Sequence, residues 1–323
     1  MTRVSRGHAS PLAAIAIALI AIALFPSDAL AWTPGTHVYL GDAVLRSLAW
    51  LPGNIGGLLG AFPYDFLYGS IAADTSIAKK YAAAGRHSHS WGVGFDILDR
   101  ARDDALKAFS YGYLAHLAAD VVAHNAFVPY QLAITSSTTG FGHSYWETRF
   151  ETHLGEWAPR RARELILLDH SRSDGHLDRI LSPTIFSTPT NRRIFRGMVV
   201  AADMESWQRV FQLMLERSRW DLADDLVGSH LTMAYDYVMD LLIRLDGSGP
   251  MQFDPSGHDR LRMAKRIRRT ALRAGGEEAV AEQALQHFFL PAASEPLSSR
   301  LDRPLFPPRQ EQGAPSARLL SST

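Results

Sequence analysis

Two short sets of ligand-type side chains stand out within residues 111–147: His116-x3-Asp120-x3-His124, and His143-x3-Glu147. Imidazole and carboxylate together suit zinc, with bonds near ~2.0–2.2 Å. On an α-helix a four-residue step rises about 6 Å and overshoots one turn by about 40°. His116, Asp120 and His124 therefore lie along one helix face, and His143 and Glu147 share a face of another. The outer histidines of the first set are about 12 Å apart along the axis, too far to meet on one ion. Asp120 lies between them and has two oxygens with which to bridge, so the spacing asks for more than one metal. The competing reading makes each residue an ordinary hydrogen-bonded core side chain. Five such residues within 32, flanked by Leu, Ala and Val, weigh against it. Burying them without a cation would leave several polar groups unsatisfied, at roughly 1–3 kcal/mol each.

Helices must hold these residues in place. Residues 111–128 are apolar nearly all round, as in a buried central helix, and Pro129 is expected to end it. A Ser/Thr/Gly-rich loop over 131–142 would flank a cleft, and a second helix would run from His143 through Glu151 and His153 to about Leu168. Upstream, 42–51 reads as a short amphipathic helix. Residues 60–76 read as a mostly apolar helix with Asp74 at its end, either a cap or a carboxylate facing an inner cavity. Asp65 reads as a turn or cap. Arg86–Trp91 forms a polar loop in which His87 and His89 alternate, so one of them points reliably into a pocket. Residues 94–108 give a charged helix with a solvated face. Downstream, 169–190 reads as a polar loop, and helices are expected over 191–216, 219–245 and 258–290, with a break at 246–250. The basic run over 260–273 suits a solvated face or contact with an anionic membrane surface. From Pro291 to Thr323 the composition predicts disorder. No strand-period segment, internal repeat or Gly-rich phosphate loop is present, so the expected fold class is all-α.

The chain has 323 residues, 46% hydrophobic and 20% charged, enough for one sizeable core. Its net charge of zero offers no electrostatic footprint for nucleic acid. It has no cysteine, which excludes disulfides and leaves His, Asp and Glu to hold any zinc. Residues 1–31 have the form of a secretory signal peptide: Arg3 and Arg6, an apolar stretch from Pro11 to Phe25, and Ala29-Leu30-Ala31 as cleavage site. The apolar stretch is short for a membrane span. Export to the periplasm or beyond would follow, with Trp32 as the mature amino terminus of a domain over 32–290. His37, close to that terminus, is a surface or capping histidine or a ligand.

The whole pattern resembles the zinc-dependent phospholipase C family, a secreted all-α family related to the fungal single-strand nucleases. The resemblance covers roughly Trp32 to Glu147 and extends loosely through the later helices. It implies a multi-helix bundle with three Zn2+ ions. Trp32, through its free amine and carbonyl oxygen, would join His37 and Asp120 on one. Asp74, His89, His116 and the bridging Asp120 would hold a second, with His87 as runner-up to His89. His124, His143 and Glu147 would hold the third and leave positions open. Asp74 is also the first candidate for general base. The implied function is an exported phosphodiesterase, a phospholipase C cleaving a phospholipid to diacylglycerol and a phosphorylated headgroup, with peripheral membrane contact. The bacterial enzymes that cleave phosphatidylcholine surround choline with an acidic residue near the terminal Trp and a Tyr after the site Asp. Those places hold Gly35 or its neighbours and Thr75 here, which leaves the headgroup open. Two alternatives remain. A nuclease or nucleotidase of the same fold would take nucleic acid as partner and need a base-stacking slot, for which Tyr68, Phe141 and Tyr145 are candidates. A non-catalytic zinc-stabilised protein would have the ligands without an open coordination position.

Overall fold

The computed structural model describes residues 32–77, 81–82, 86–135 and 139–306, with the backbone alone at 139–141. Its helices are α1 Pro34–Leu45, α2 Gly53–Ala61, α3 Pro63–Ala72, α4 Trp91–Asp99, α5 Asp104–Val122, α6 Val128–Thr135 and α7 Thr139–Thr152. They continue as α8 Trp157–Ile166, α9 Ser171–Leu177, α10 Thr188–Ala202, α11 Glu205–Glu216, α12 Asp224–Arg244 and α13 His258–His287. There is no strand among the described residues, as an all-α chain requires. No described helix is long and apolar enough to cross a membrane. The signal-like segment 1–31 and residues 307–323 lie outside the described residues.

The central element is α5, buried on all sides from Gly112 to Val122. Asp103 starts it, its carboxylate accepting the Leu106 N–H at 3.0 Å. α3 crosses it at backbone distance. A Cβ on Gly69 would overlap the Phe109 carbonyl, and one on Gly112 would overlap the Phe66 carbonyl. This reciprocal glycine contact brings the end of α3, with Ser70 and Asp74, against His116. α12 packs along the same central helix, and α1 sits against α3 and α8.

Past Val122 the helix does not stop. Residues Ala123–Phe127 form a π-turn and the chain runs on into α6. Pro129 was expected to end the helix. Instead it falls in the first turn of α6, just after the widened turn, where its missing N–H disrupts least. The expected loop over 131–142 is correspondingly shorter, since 131–135 and the residues from 139 are helical. The expected single helix from His143 to Leu168 is two, α7 and α8, separated at Gly155, which has a φ of 76°. The expected loop over 169–190 contains α9, where His176 Nε2–H donates to the Ile97 carbonyl over 2.8 Å.

The carboxy-terminal expectation needs correction. Residues 291–306 are part of the packed domain rather than a disordered tail. Leu297 and Ala293 are buried, and Ser298 donates its N–H and Oγ–H to buried Asp236 at 2.7 and 2.6 Å. Tyr39 and Tyr237 donate to the carbonyls of Leu305 and Pro291 at 2.6 and 2.8 Å. The composition of this stretch hid a few apolar anchors that dock on α12. The basic run in α13 is also not wholly a free face. Arg268 donates to the carbonyls of Ala133 and Ile134, both at 3.0 Å, and so closes the carboxy-terminal end of α6.

Candidate metal centre

His116 and Asp120 point from one face of α5 into the interior, and both are fully buried. Around them the fold gathers His37 from α1, Asp74 from the end of α3, and His89 from the loop before α4. The His89 Nε2 lies 3.0 Å from Asp120 Oδ2 and 3.3 Å from Asp74 Oδ1. The His116 Nε2 lies 3.1 Å from Asp120 Oδ2 and 3.1 Å from the His89 Nε2. On the other side, His37 Nε2 stands 3.3 Å from Asp120 Oδ1, and its ring stacks on His116 at 3.9 Å. Farther along, His124 Nε2 and His143 Nε2 approach Glu147 Oε1 at 3.6 and 2.7 Å. Three sets of donors each lie within 4.8 Å of one another: His37, His116 and Asp120; Asp74, His89 and His116; His124, His143 and Glu147.

The outer contacts of these rings fix which nitrogen is exposed to the centre. The Ser70 carbonyl lies 2.9 Å from His116 Nδ1, and the Pro255 carbonyl lies 2.7 Å from His124 Nδ1. A carbonyl only accepts, so Nδ1 carries the proton in both rings. Each Nε2 then turns a lone pair inward, the arrangement that metal-binding imidazoles need. The Pro255 carbonyl gets there because Gly257 packs directly on His124 with a left-handed φ of 56°, where a Cβ would overlap the His124 backbone. Tyr113 ties the His89 loop to α5 through a 2.6 Å bond to Ser88 O.

Several inward atoms have no hydrogen bond although they are buried: both oxygens of Asp120, Nε2 of His37 and Nε2 of His124. Lone pairs facing lone pairs in a buried volume are costly unless a cation sits among them. The charges agree. Burial by itself would raise the Asp120 carboxyl, but positive charge at His116 and His124 outweighs it and holds the group well below the ordinary carboxylate range, and a cation among these donors supplies the same charge when the rings are neutral. Burial pushes the Glu147 carboxyl well above its ordinary value, with His124 opposing. It becomes a stable anion only beside a cation. Burial first, then His116, lowers His37 to about 4, so this ring is neutral and able to donate a lone pair at neutral pH. The donor set fits zinc.

All nine residues singled out in the sequence are thus placed around one interior region, with Trp32 at its margin. Trp32 is fully buried, stacked on Phe150 at 5.0 Å, with its ring 6.5 Å from that of His37. Between the two loop histidines, His89 enters the cluster. His87 accepts the His89 N–H at 3.1 Å and supports the loop instead. Asp65 does not enter any of the three sets, and neither do His153 and His170. The aromatic candidates for a base slot are otherwise engaged. Tyr68 is fully buried, stacked on His170 at 3.7 Å and hydrogen-bonded to Asp174 at 2.5 Å. Tyr145 donates to Ser218 at 2.7 Å. The Phe141 side chain lies outside the described residues.

Sequence reasoning missed the carbonyls of Ser70 and Pro255, which carry no side-chain signal, and it missed Glu151. Glu151 lies one turn beyond Glu147 on α7, and its carboxylate reaches the start of α1, where Thr33 Oγ donates to it. Burial pushes this carboxyl up to about 7, against hydrogen bonds from Thr33, Gly35 and Thr36. Its only trace in the sequence is the continuing four-residue step from His143 through Glu147.

Fold and cluster together define an all-helical protein whose buried His/Asp/Glu centre is able to hold several metal ions. The family model described as zinc dependent phospholipase C matches residues 36–186, which include every candidate ligand except Trp32. Over that stretch the chain is similar to this zinc-dependent family. No curated protein and no solved structure matches the chain.

Proposed function

We propose that the protein is an exported phospholipase C that hydrolyses the phosphodiester of a phospholipid to diacylglycerol and a phosphorylated headgroup. The observation that carries this reading is the family match over 36–186, which spans a centre where both Asp120 oxygens and the Nε2 atoms of His37 and His124 are buried without hydrogen bonds. Three zinc ions are assigned as the resemblance implies. Trp32, His37 and Asp120 would hold one; Asp74, His89, His116 and Asp120 would hold another; His124, His143 and Glu147 would hold the third. His116 Nε2 lies within reach of the His37 side as well, but a single lone pair serves one ion. Zinc, when bound, offsets the charge of the phosphodiester and of the leaving oxygen.

The chain's own residues do the rest. Asp120 stays an anion and turns Oδ1 toward His37 and Oδ2 toward His89 and His116. Ser70 and Pro255 keep His116 and His124 in the required tautomer. His143 at 6% and His124 at 4% are the most exposed of the His, Asp and Glu ligands, so substrate enters at the His124–His143–Glu147 end. Asp74 turns Oδ1 to His89, and its Oδ2 is the proposed proton acceptor during attack by water. Export follows from the signal-like residues 1–31, and contact with a lipid surface follows from the substrate.

The test is hydrolysis by zinc-loaded protein beginning at Trp32, offered phospholipid vesicles of defined headgroup and, separately, single-stranded DNA and nucleotides. Release of diacylglycerol, abolished by chelation and restored by zinc, is expected. Nucleotide hydrolysis without diacylglycerol would favour the nuclease reading. Tight zinc with neither activity would leave a zinc-stabilised protein.

A further inference from the structure

Resting on the metal assignment above, we propose that Glu151 is a positioning residue: a cap supplied from another helix, which locks the Trp32–His37 segment against Asp120. The start of α1 lacks the usual device. Thr33 stands at the cap position, yet its hydroxyl makes no bond to the helix backbone. It donates instead to Glu151 Oε2 and lies 3.1 Å from Thr36 Oγ. The Thr36 N–H closes onto the Thr33 carbonyl at 2.9 Å, while the Glu151 carboxylate lies directly against Gly35 and draws on the Gly35 and Thr36 backbone as well. A hydrogen-bond acceptor at this place is what the unpaired N–H groups at a helix start need.

The approach is close enough to dictate sequence. A Cβ on Gly35 would overlap Glu151 Oε2 and would stand 2.9 Å from the Ala158 backbone. Only glycine lets the carboxylate reach the helix end. The neighbouring residue of α7, Phe150, stacks on Trp32 at 5.0 Å. One turn of α7 thus holds both ends of the segment: Phe150 takes the Trp32 ring, and Glu151 takes the backbone just before His37. Because Gly35 and Thr36 are adjacent to His37, fixing them fixes the path by which the His37 ring reaches Asp120. Glu147, one turn earlier on the same helix, belongs to the His124–His143 set. α7 therefore couples the two ends of the centre without Glu151 itself being a ligand.

The experiment counts zinc per chain and measures amide hydrogen exchange at residues 33–37 in full-length mature protein. It compares wild type with Glu151→Ala, Glu151→Gln, Thr33→Val and His37→Ala. Glu151→Ala is expected to lose one zinc of three, the same one that His37→Ala loses, and to keep the other two. In chelated protein its Gly35 and Thr36 amides should exchange about tenfold faster, the scale of losing a helix cap. Glu151→Gln retains an acceptor oxygen and should recover most of the lost zinc. If Glu151→Ala does not fold, Thr33→Val carries the test, with faster exchange at 35–36 and easier chelation of one zinc expected. Full zinc and wild-type exchange in Glu151→Ala, or in Thr33→Val as its substitute, would overturn the proposal. Loss of all three ions together would make Glu151 a general stability residue and equally overturn it. A wild-type protein without zinc would sink the metal assignment instead, and the exchange comparison in chelated protein would still decide whether Glu151 caps α1.

Discussion

Replacing Asp120 by Asn separates a bridging ligand from an ordinary buried ion-pair partner, because the two roles predict opposite effects in metal-free protein. The substitution keeps shape and packing at a fully buried position. Chelated wild type at pH 8 holds two carboxylate oxygens without hydrogen bonds, 3.0–3.3 Å from the Nε2 atoms of His89, His116 and His37. Each unsatisfied buried group costs roughly 1–3 kcal/mol. An amide offers a donor to the Nε2 lone pairs, so chelated Asp120→Asn should be about 1–3 kcal/mol more stable than chelated wild type. With zinc the order reverses. Asp120 serves two of the three proposed ions, and each ion at a thousandfold excess over its Kd adds about 4 kcal/mol of stability. Losing both removes about 8 kcal/mol, which at roughly 2 °C per kcal/mol lowers the Tm by about 15 °C. Calorimetry with and without zinc, together with the zinc count, reads both signs. If Asp120→Asn destabilises the chelated protein by the 3–5 kcal/mol typical of a broken buried pair, the carboxylate is a structural partner and the bridging argument fails.

Five other outcomes are expected. One residue added before Trp32 turns its amine into an amide without a lone pair for zinc, so the count should fall from three to two and activity should collapse; full activity would remove Trp32 from the centre. Glu147→Ala should lose zinc and activity together. His153→Ala, which breaks a part-buried 2.6 Å pair with Asp224 outside the three donor sets, should keep its zinc and lose about 1 kcal/mol in denaturant titration. Gly112→Ala forces a Cβ into the Phe66 carbonyl, so α3 and α5 must separate; a loss of several kcal/mol, roughly 3 or more, with weaker zinc binding is expected. Glu151 has its carboxyl raised from 4.5 to about 7, so its protonated form contributes stability that is complete below 4.5 and is lost as pH rises toward 7; Glu151→Gln should show a flatter Tm profile across that window.

The helical class and the central ligand helix were legible because their signals are local. Apolar residues recur at helical spacing, and the four-residue steps put His116, Asp120 and His124 on one face whatever the rest of the chain does. Boundaries were less legible where a backbone device overrides composition. Pro129 reads as a stop, yet the π-turn at 123–127 carries the helix past it. The stretch 291–306 reads as a tail, yet Leu297 and Ser298 dock on α12 through contacts 62 residues away in sequence. No local pattern could have announced either.

The same distinction explains the centre. Ligand identities are side-chain facts and can be read by type and spacing. The choice between His87 and His89 was not local, because it depends on how Tyr113 pins the loop by the Ser88 carbonyl. The tautomers of His116 and His124 depend on main-chain carbonyls of Ser70 and Pro255, residues whose side chains contribute nothing. What the sequence did carry for these was indirect: Gly69 and Gly112 allow Ser70 to stand against α5, and Gly257 allows Pro255 to stand against His124. A glycine beside a proposed ligand is thus informative about its backbone support even when no side chain is there to suggest it. Gly35 extends the same logic. It lies two residues before His37, and the side chain it makes room for is Glu151, more than a hundred positions away.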